Sequence, residues 1–113
     1  MKWEILEDCG NSPKNKMLID WIVAFVDQKD EMNFVSEDSV VIYKGNTSSL
    51  SDFEMPTRID EVHLEKAITH GRDGAVLGKI VVGNKEYPFS LFFVFSLGKQ
   101  PKIKSVECIV DRA

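Results

Sequence analysis

The stretch Glu86–Leu97, EYPFSLFFVFSL, sets Tyr87, Phe89, Leu91, Phe93, Phe95 and Leu97 at every second position. An unbroken apolar row of period two predicts a strand with one face in deep core. The alternate positions, Glu86, Pro88, Ser90, Phe92, Val94 and Ser96, are apolar only in the middle. The run is too short to span a membrane. Upstream, Asn11–Ser12–Pro13 offers a capping hydroxyl and a first-turn proline, which predicts a helix from there to about Gln28. Met17, Leu18, Trp21, Ala24 and Phe25 share one face of that helix, and Ile22, Val23 and Val26 widen it. A helix this apolar must lie against a sheet.

Between these two anchors the pattern is weaker. It predicts a second short helix over Asp30–Val35 and a short strand over Val40–Tyr43 that ends at Lys44–Gly45–Asn46. Ser49 or Ser51 can cap a further short helix carrying Leu50, Phe53 and Met55, closed by Pro56. From Asp60 the chain reads as a meander of strands, Glu61–His70, Ala75–Val82, Glu86–Leu97 and Ile103–Asp111. Turns rich in Gly, Asn and Asp separate them, as in antiparallel hairpins. Helices first and strands afterwards is an α+β order in a single domain covering residues 1–113.

Composition narrows the chemistry. With 113 residues, 43% of them hydrophobic, the chain can build one ordinary core. The net charge is −4 and the densest basic run, Lys99, Lys102 and Lys104, sits at a turn, which argues against nucleic acid. Glu4, Glu7 and Asp8 interrupt the start where a signal peptide needs an apolar run, so the expectation is a cytoplasmic protein without membrane contact. Cys9 and Cys108 lack the CxxC spacing of zinc or redox sites. His63 and His70 stand seven apart on one predicted strand, roughly 23 Å, and face opposite sides unless a bulge intervenes. No metal and no cofactor are expected, and no phosphate loop, HExxH or GxSxG is present.

Three stretches resemble a known family: Glu4–Ile5–Leu6–Glu7–Asp8–Cys9–Gly10–Asn11–Ser12–Pro13, then Ile68–Thr69–His70–Gly71 with Gly74–Ala75–Val76 and Gly78, then Phe95–Ser96 with Lys102–Ile103–Lys104. Together with the element order they resemble a small bacterial branch of the NTF2-like (nuclear transport factor 2-like, SnoaL-like) superfamily. That resemblance implies an NTF2-like, cystatin-like cone. N-terminal helices would pack on a curved antiparallel sheet, often with a pocket at the open end and often as a homodimer.

The implied pocket gives the candidate residues their meaning. Trp21, Tyr43, Tyr87, Phe89 and Phe93 are the candidate ligand-binding residues, with His70 beside them, although a domain this small needs its large side chains for core and the simpler reading is that the aromatics fill the cone. Phe92, Val94 and Ile109 are the candidate dimer interface. Superfamily members that isomerise steroids or cyclise polyketides use a carboxylate base; here Asp20, Asp27, Glu107 and Asp111 are the possible counterparts. None stands inside an apolar row, and no catalytic residue is assigned. Glu107 and Asp111 share the parity of Ile103 and Ile109, a pattern of one outer face. The reading is a domain that binds a small apolar or aromatic molecule or serves in association. The alternative is a cofactor-free isomerase, cyclase or hydrolase using one cone carboxylate or His70.

Overall fold

The computed structural model describes residues 2–6, 12–27, 34–50, 58–98 and 101–110. Its elements are β1 (Lys2–Ile5), α1 (Pro13–Val26), β2 (Val35–Tyr43), β3 (Asn46–Ser49), β4 (Glu61–His70), β5 (Asp73–Val82), β6 (Lys85–Phe95) and β7 (Ile103–Val110). The strands form one seven-stranded sheet in the order β1-β4-β5-β6-β7-β2-β3. Its centre is the antiparallel meander expected from the turns. The flanks differ: β1 runs parallel to β4, and β2 runs parallel to β7. The sheet is therefore mixed, curved and unclosed.

Helix α1 begins as its sequence dictates. Ser12 caps it by accepting from the Asn15 backbone N–H at 3.1 Å, and Pro13 fills the first turn. Leu18, Ile19, Trp21, Ile22 and Ala24 are buried against the inner face of the sheet. That face carries Phe89, Phe93 and Phe95 of β6, Val76 of β5, Leu64 of β4, and Ile103 and Val106 of β7, all buried. Leu18 reaches the sheet because Gly74 has no side chain: a Cβ there would stand 3.0 Å from its Cδ1. Gly78 is needed still more, since a Cβ would run into the His63 carbonyl and the Phe89 ring that crosses it.

A polar rivet ties the helix to the sheet edge. Asn15, only 7% exposed, donates from Nδ2 to the Ala67 carbonyl at 3.1 Å and accepts from Thr69 Oγ1 at 2.8 Å. β1 ends its pairing with β4 at Leu64, so this side chain occupies the edge that β1 leaves open.

Several expectations change. β2 starts at Val35, which takes the end of the predicted second helix; residues 28–33 lie outside the described set. Ser49 ends strand β3 and a 3-10 turn begins at Leu50 directly after it, while the rest of the predicted short helix, with Ser51, Phe53, Met55 and Pro56, lies outside the described residues. A bulge between Leu64 and Lys66 reverses the parity of β4, so His63 and His70 share the outer face with Lys79 and Asp73, their register partners. A second shift between Val94 and Phe95 does the same in β7: Ile103 is core, whereas Glu107 and Ile109 face outward. Among the described residues, no helix is long and apolar enough to cross a membrane.

Candidate functional site

The order of contacts along α1 shows how the helix lies over β6. The Lys14 ammonium stands 5.5 Å from the Phe95 ring centre, Leu18 covers Gly74, and Trp21 meets Phe93 edge-on at 5.7 Å and 84°. Phe25 then stacks on Trp21 at 5.0 Å and 22°. The helix stops at Val26, but the strands beneath it continue. Inner-face side chains beyond that point, Leu91, Val110, Ile80, Tyr87 and Tyr43, are only half-buried, as are Phe25 and Val26 themselves. Burial on this part of the sheet is mixed, because Phe89, Leu64 and Val62, in register with Val110, Ile80 and Tyr87, stay buried.

Trp21 stands at the boundary. It is 2% exposed, and its indole Nε1 is buried without a hydrogen-bond acceptor among the described residues. A buried donor left unpaired costs about 1–3 kcal/mol, so native chains rarely keep one without a reason. The sheet face beneath it is apolar. Cys108 lies in register with Leu91 on one side and Tyr43 on the other, and burial pushes its thiol up to about 11. Among the described residues, the sheet wall from Phe95 to Tyr87 carries no Lys, Arg, His, Asp or Glu on this face. A cleft of about 180 Å³ at the end of the β2–β7 pair straddles both faces, lined by Tyr43, Cys108 and Val110 from the inner one and Ile42, Glu107 and Ile109 from the outer, with the exposed Lys44 over the Tyr43 ring.

The structure gathers Trp21, Tyr43, Tyr87, Phe89 and Phe93 on the inner face. His70 does not join them: it is exposed on the outer face, opposite Asp73 in the β4–β5 hairpin. Asp20 and Glu107 also stay away. Asp20 pairs with Lys16 at 3.2 Å in solvent, Glu107 is exposed opposite Phe92, and Asp27 is the helix C-cap; Asp111 lies outside the described residues. Phe92, Val94 and Ile109 all lie on the outer face.

One cluster escaped the sequence reading because it depends on β1. The parallel pairing sets Glu4 beside His63, with Nδ1 at 3.2 Å from Glu4 and Nε2 at 3.4 Å from Glu61. A shallow groove of about 540 Å³ lies next to it, bounded by Leu6, Leu77, Lys66 and Lys79 among others. The carboxylates flank the ring on opposite sides, and among the described residues no group of three ligands converges as a metal site. The alternation of Trp3 and Ile5 with Lys2 and Glu4 was the available signal for β1.

No protein-family model matches the chain, and no curated protein matches it in sequence. Solved structures do. An NTF2-like protein of unknown function from Burkholderia xenovorans superposes with a TM-score of 0.69 at 10% identity, over 90% of this chain and 88% of that one. One from Cytophaga hutchinsonii gives 0.61 at 16%, over 84% and 87%. A de novo designed NTF2-fold protein gives 0.60 at 20%, over 81% and 79%. Similarity this low in sequence and this wide in coverage is a likeness of architecture, and it establishes that the chain has the NTF2-like fold.

Proposed function

We propose that this chain is a small-molecule-binding domain that takes its ligand where the inner face opens beyond Trp21. The observation that carries the reading is the buried, unpartnered indole N–H of Trp21, set between Phe25 and Phe93 at the edge of the packed core. The aromatic walls supply burial, and a single donor supplies orientation, as binding sites commonly do. Burying about 200 Å² of ligand apolar surface at ~25 cal/mol per Å² offers roughly 5 kcal/mol before association costs, which suits a fragment-sized molecule held weakly to moderately. Two of the described carboxylates that could act as a base, Asp20 and Glu107, sit on solvent faces, which favours binding over turnover. Thermal denaturation with a panel of small apolar and aromatic compounds tests this. Binders should raise the melting temperature of the wild type and lose most of that effect on Trp21→Phe. A panel with no effect on the wild type would remove the reading.

A second observation favours self-association as well. Ile68, Leu77, Phe92 and Ile109 are 56%, 40%, 45% and 52% exposed, and all lie on the outer face. Ile68, Ala75 and Phe92 form one row across three neighbouring strands. A soluble chain usually covers such a patch, and a second copy offers the same surface in return. Phe92→Glu should convert a dimer to a monomer in light-scattering chromatography. A wild type already monomeric at high micromolar concentration would refute it.

A further inference from the structure

The cluster at the β1–β4 edge joins a titratable ring to a strand that little else holds. We propose that β1 is a proton-dependent latch: it grips β4 while His63 is protonated and loosens when the ring becomes neutral, freeing one wall of the groove beside it.

β1 lies at the edge of the sheet, with β4 as its one neighbour and four residues in register. Pairing this short holds weakly, so the side-chain links matter. Trp3 packs against the core, and two ion pairs run across to β4: Lys2 to Glu61 at 3.6 Å and Glu4 to His63 Nδ1 at 3.2 Å. The other ring nitrogen, Nε2, stands 3.4 Å from Glu61. A neutral imidazole has one N–H and one lone pair, so in either tautomer one carboxylate faces the lone pair. The protonated ring donates to both, and those bonds are charge-assisted.

No neighbouring cation takes the ring's place. On β5 the register partner of His63 is Lys79, which pairs with Glu86 of β6 at 3.3 Å. On β1 Lys2 pairs with Glu61, while Glu65 and Lys66 of β4 line the groove. Among the described residues, the ion pair that reaches Glu4 is the one from His63. The ring's contribution is therefore present while it is protonated and is lost as pH rises through its titration. Glu4 and Leu6 form the β1 side of the 540 Å³ groove, across from Lys66, Leu77 and Lys79. Just past the strand, the Leu6 N–H donates to the Leu64 carbonyl at 3.2 Å, so this amide reports whether β1 is seated.

The test is hydrogen exchange of the labelled full chain by magnetic resonance, at about pH 5.5 and about pH 7.5, either side of the ordinary histidine value near ~6.5. After correction for the intrinsic pH dependence of exchange, Leu6 protection should fall about twofold to fivefold at the higher pH, the range of a partly exposed ion pair. Amides in the β5–β6 pairing should keep theirs. His63→Gln, which cannot take up a proton, and Glu4→Gln should each abolish most of the fall, with circular dichroism confirming the fold. Leu6 protection that is level or rises with pH would overturn the latch. So would an equal fall in the β5–β6 amides, which would mark loosening of the whole domain, or a fall that persists in a folded His63→Gln and so belongs to another group. Should His63→Gln fail to fold, Glu4→Gln on the exposed edge decides alone.

Discussion

Replacing Asn15 with leucine should cost this domain a large share of its stability, although the new side chain is similar in size and a better helix former. Asn15 makes two side-chain hydrogen bonds in a buried position, to the Ala67 carbonyl at 3.1 Å and from the Thr69 hydroxyl at 2.8 Å. Each is worth about 1 kcal/mol net, and leaving a buried carbonyl without a donor adds about 1–3 kcal/mol. The gain in helix propensity returns at most about 0.7 kcal/mol. The expected loss is about 2–4 kcal/mol. For a domain near this length each kcal/mol moves the midpoint ~4–8 °C, so the melting temperature should fall by roughly 10–25 °C. Thr69→Val removes only the second bond and should cost about 1–2 kcal/mol. In the double variant the costs should sum to less than their parts, because both changes break the same link. Urea unfolding followed by circular dichroism measures all three. An Asn15→Leu chain within about 0.5 kcal/mol of wild type, with an unchanged denaturant slope, would show that the helix is not held to the sheet edge in this way.

Other outcomes follow from particular contacts. Gly78→Ala should lower the melting temperature sharply or abolish folding, since its Cβ meets the backbone carbonyl of His63 and cannot be relieved by a rotamer change. Phe93→Ala, buried under Trp21, should cost about 3–5 kcal/mol in urea unfolding, whereas Phe92→Ala on the outer face of the same strand should cost less than half of that in a monomeric sample. The third concerns Cys108, whose thiol shifts from 9.0 to about 11 on burial. The folded chain keeps that proton where the unfolded chain has lost it, so rising pH favours unfolding and stability falls between about 9 and about 11. Cys108→Ala should flatten that part of the decline, and urea midpoints on either side of the window compare the slopes.

The elements with strong periodicity were legible from the chain alone. The apolar row of β6, the Ser12–Pro13 helix start and the Gly-Asn turns each fix one local outcome, and together they give an α+β cone. What failed was parity over long strands. One extra residue near Glu65 turns His70 to the side of His63, and one near Lys104 separates Ile103 from Ile109. A bulge leaves no mark in hydrophobic spacing until the partner strand is known. The parallel flanks were hidden for a related reason: four residues of β1 and the polar Ser36–Ser39 stretch of β2 take their stability from non-local pairing. In that stretch Ser39 Oγ, buried, donates to the Ile103 carbonyl at 2.7 Å, a link between residues far apart in sequence. Of the six candidate ligand-binding residues, period two places Tyr43, Tyr87, Phe89 and Phe93 on the inner face and helical spacing turns Trp21 toward it, whereas His70 faces outward. The unpaired indole is a property of the packed core, and spacing along a chain cannot express it.

The account turns on whether Trp21 meets a ligand, and its indole N–H reports that directly. The chain has two tryptophans, so a proton–nitrogen correlation spectrum of the labelled protein carries two indole signals, assignable with Trp3→Phe. On titration with a panel compound that raises the melting temperature, the Trp21 signal should move downfield and exchange more slowly with solvent, as a donor does on gaining an acceptor, while the Trp3 signal stays in place. A Trp21 signal that does not move at a saturating concentration of that compound would contradict a ligand at Trp21.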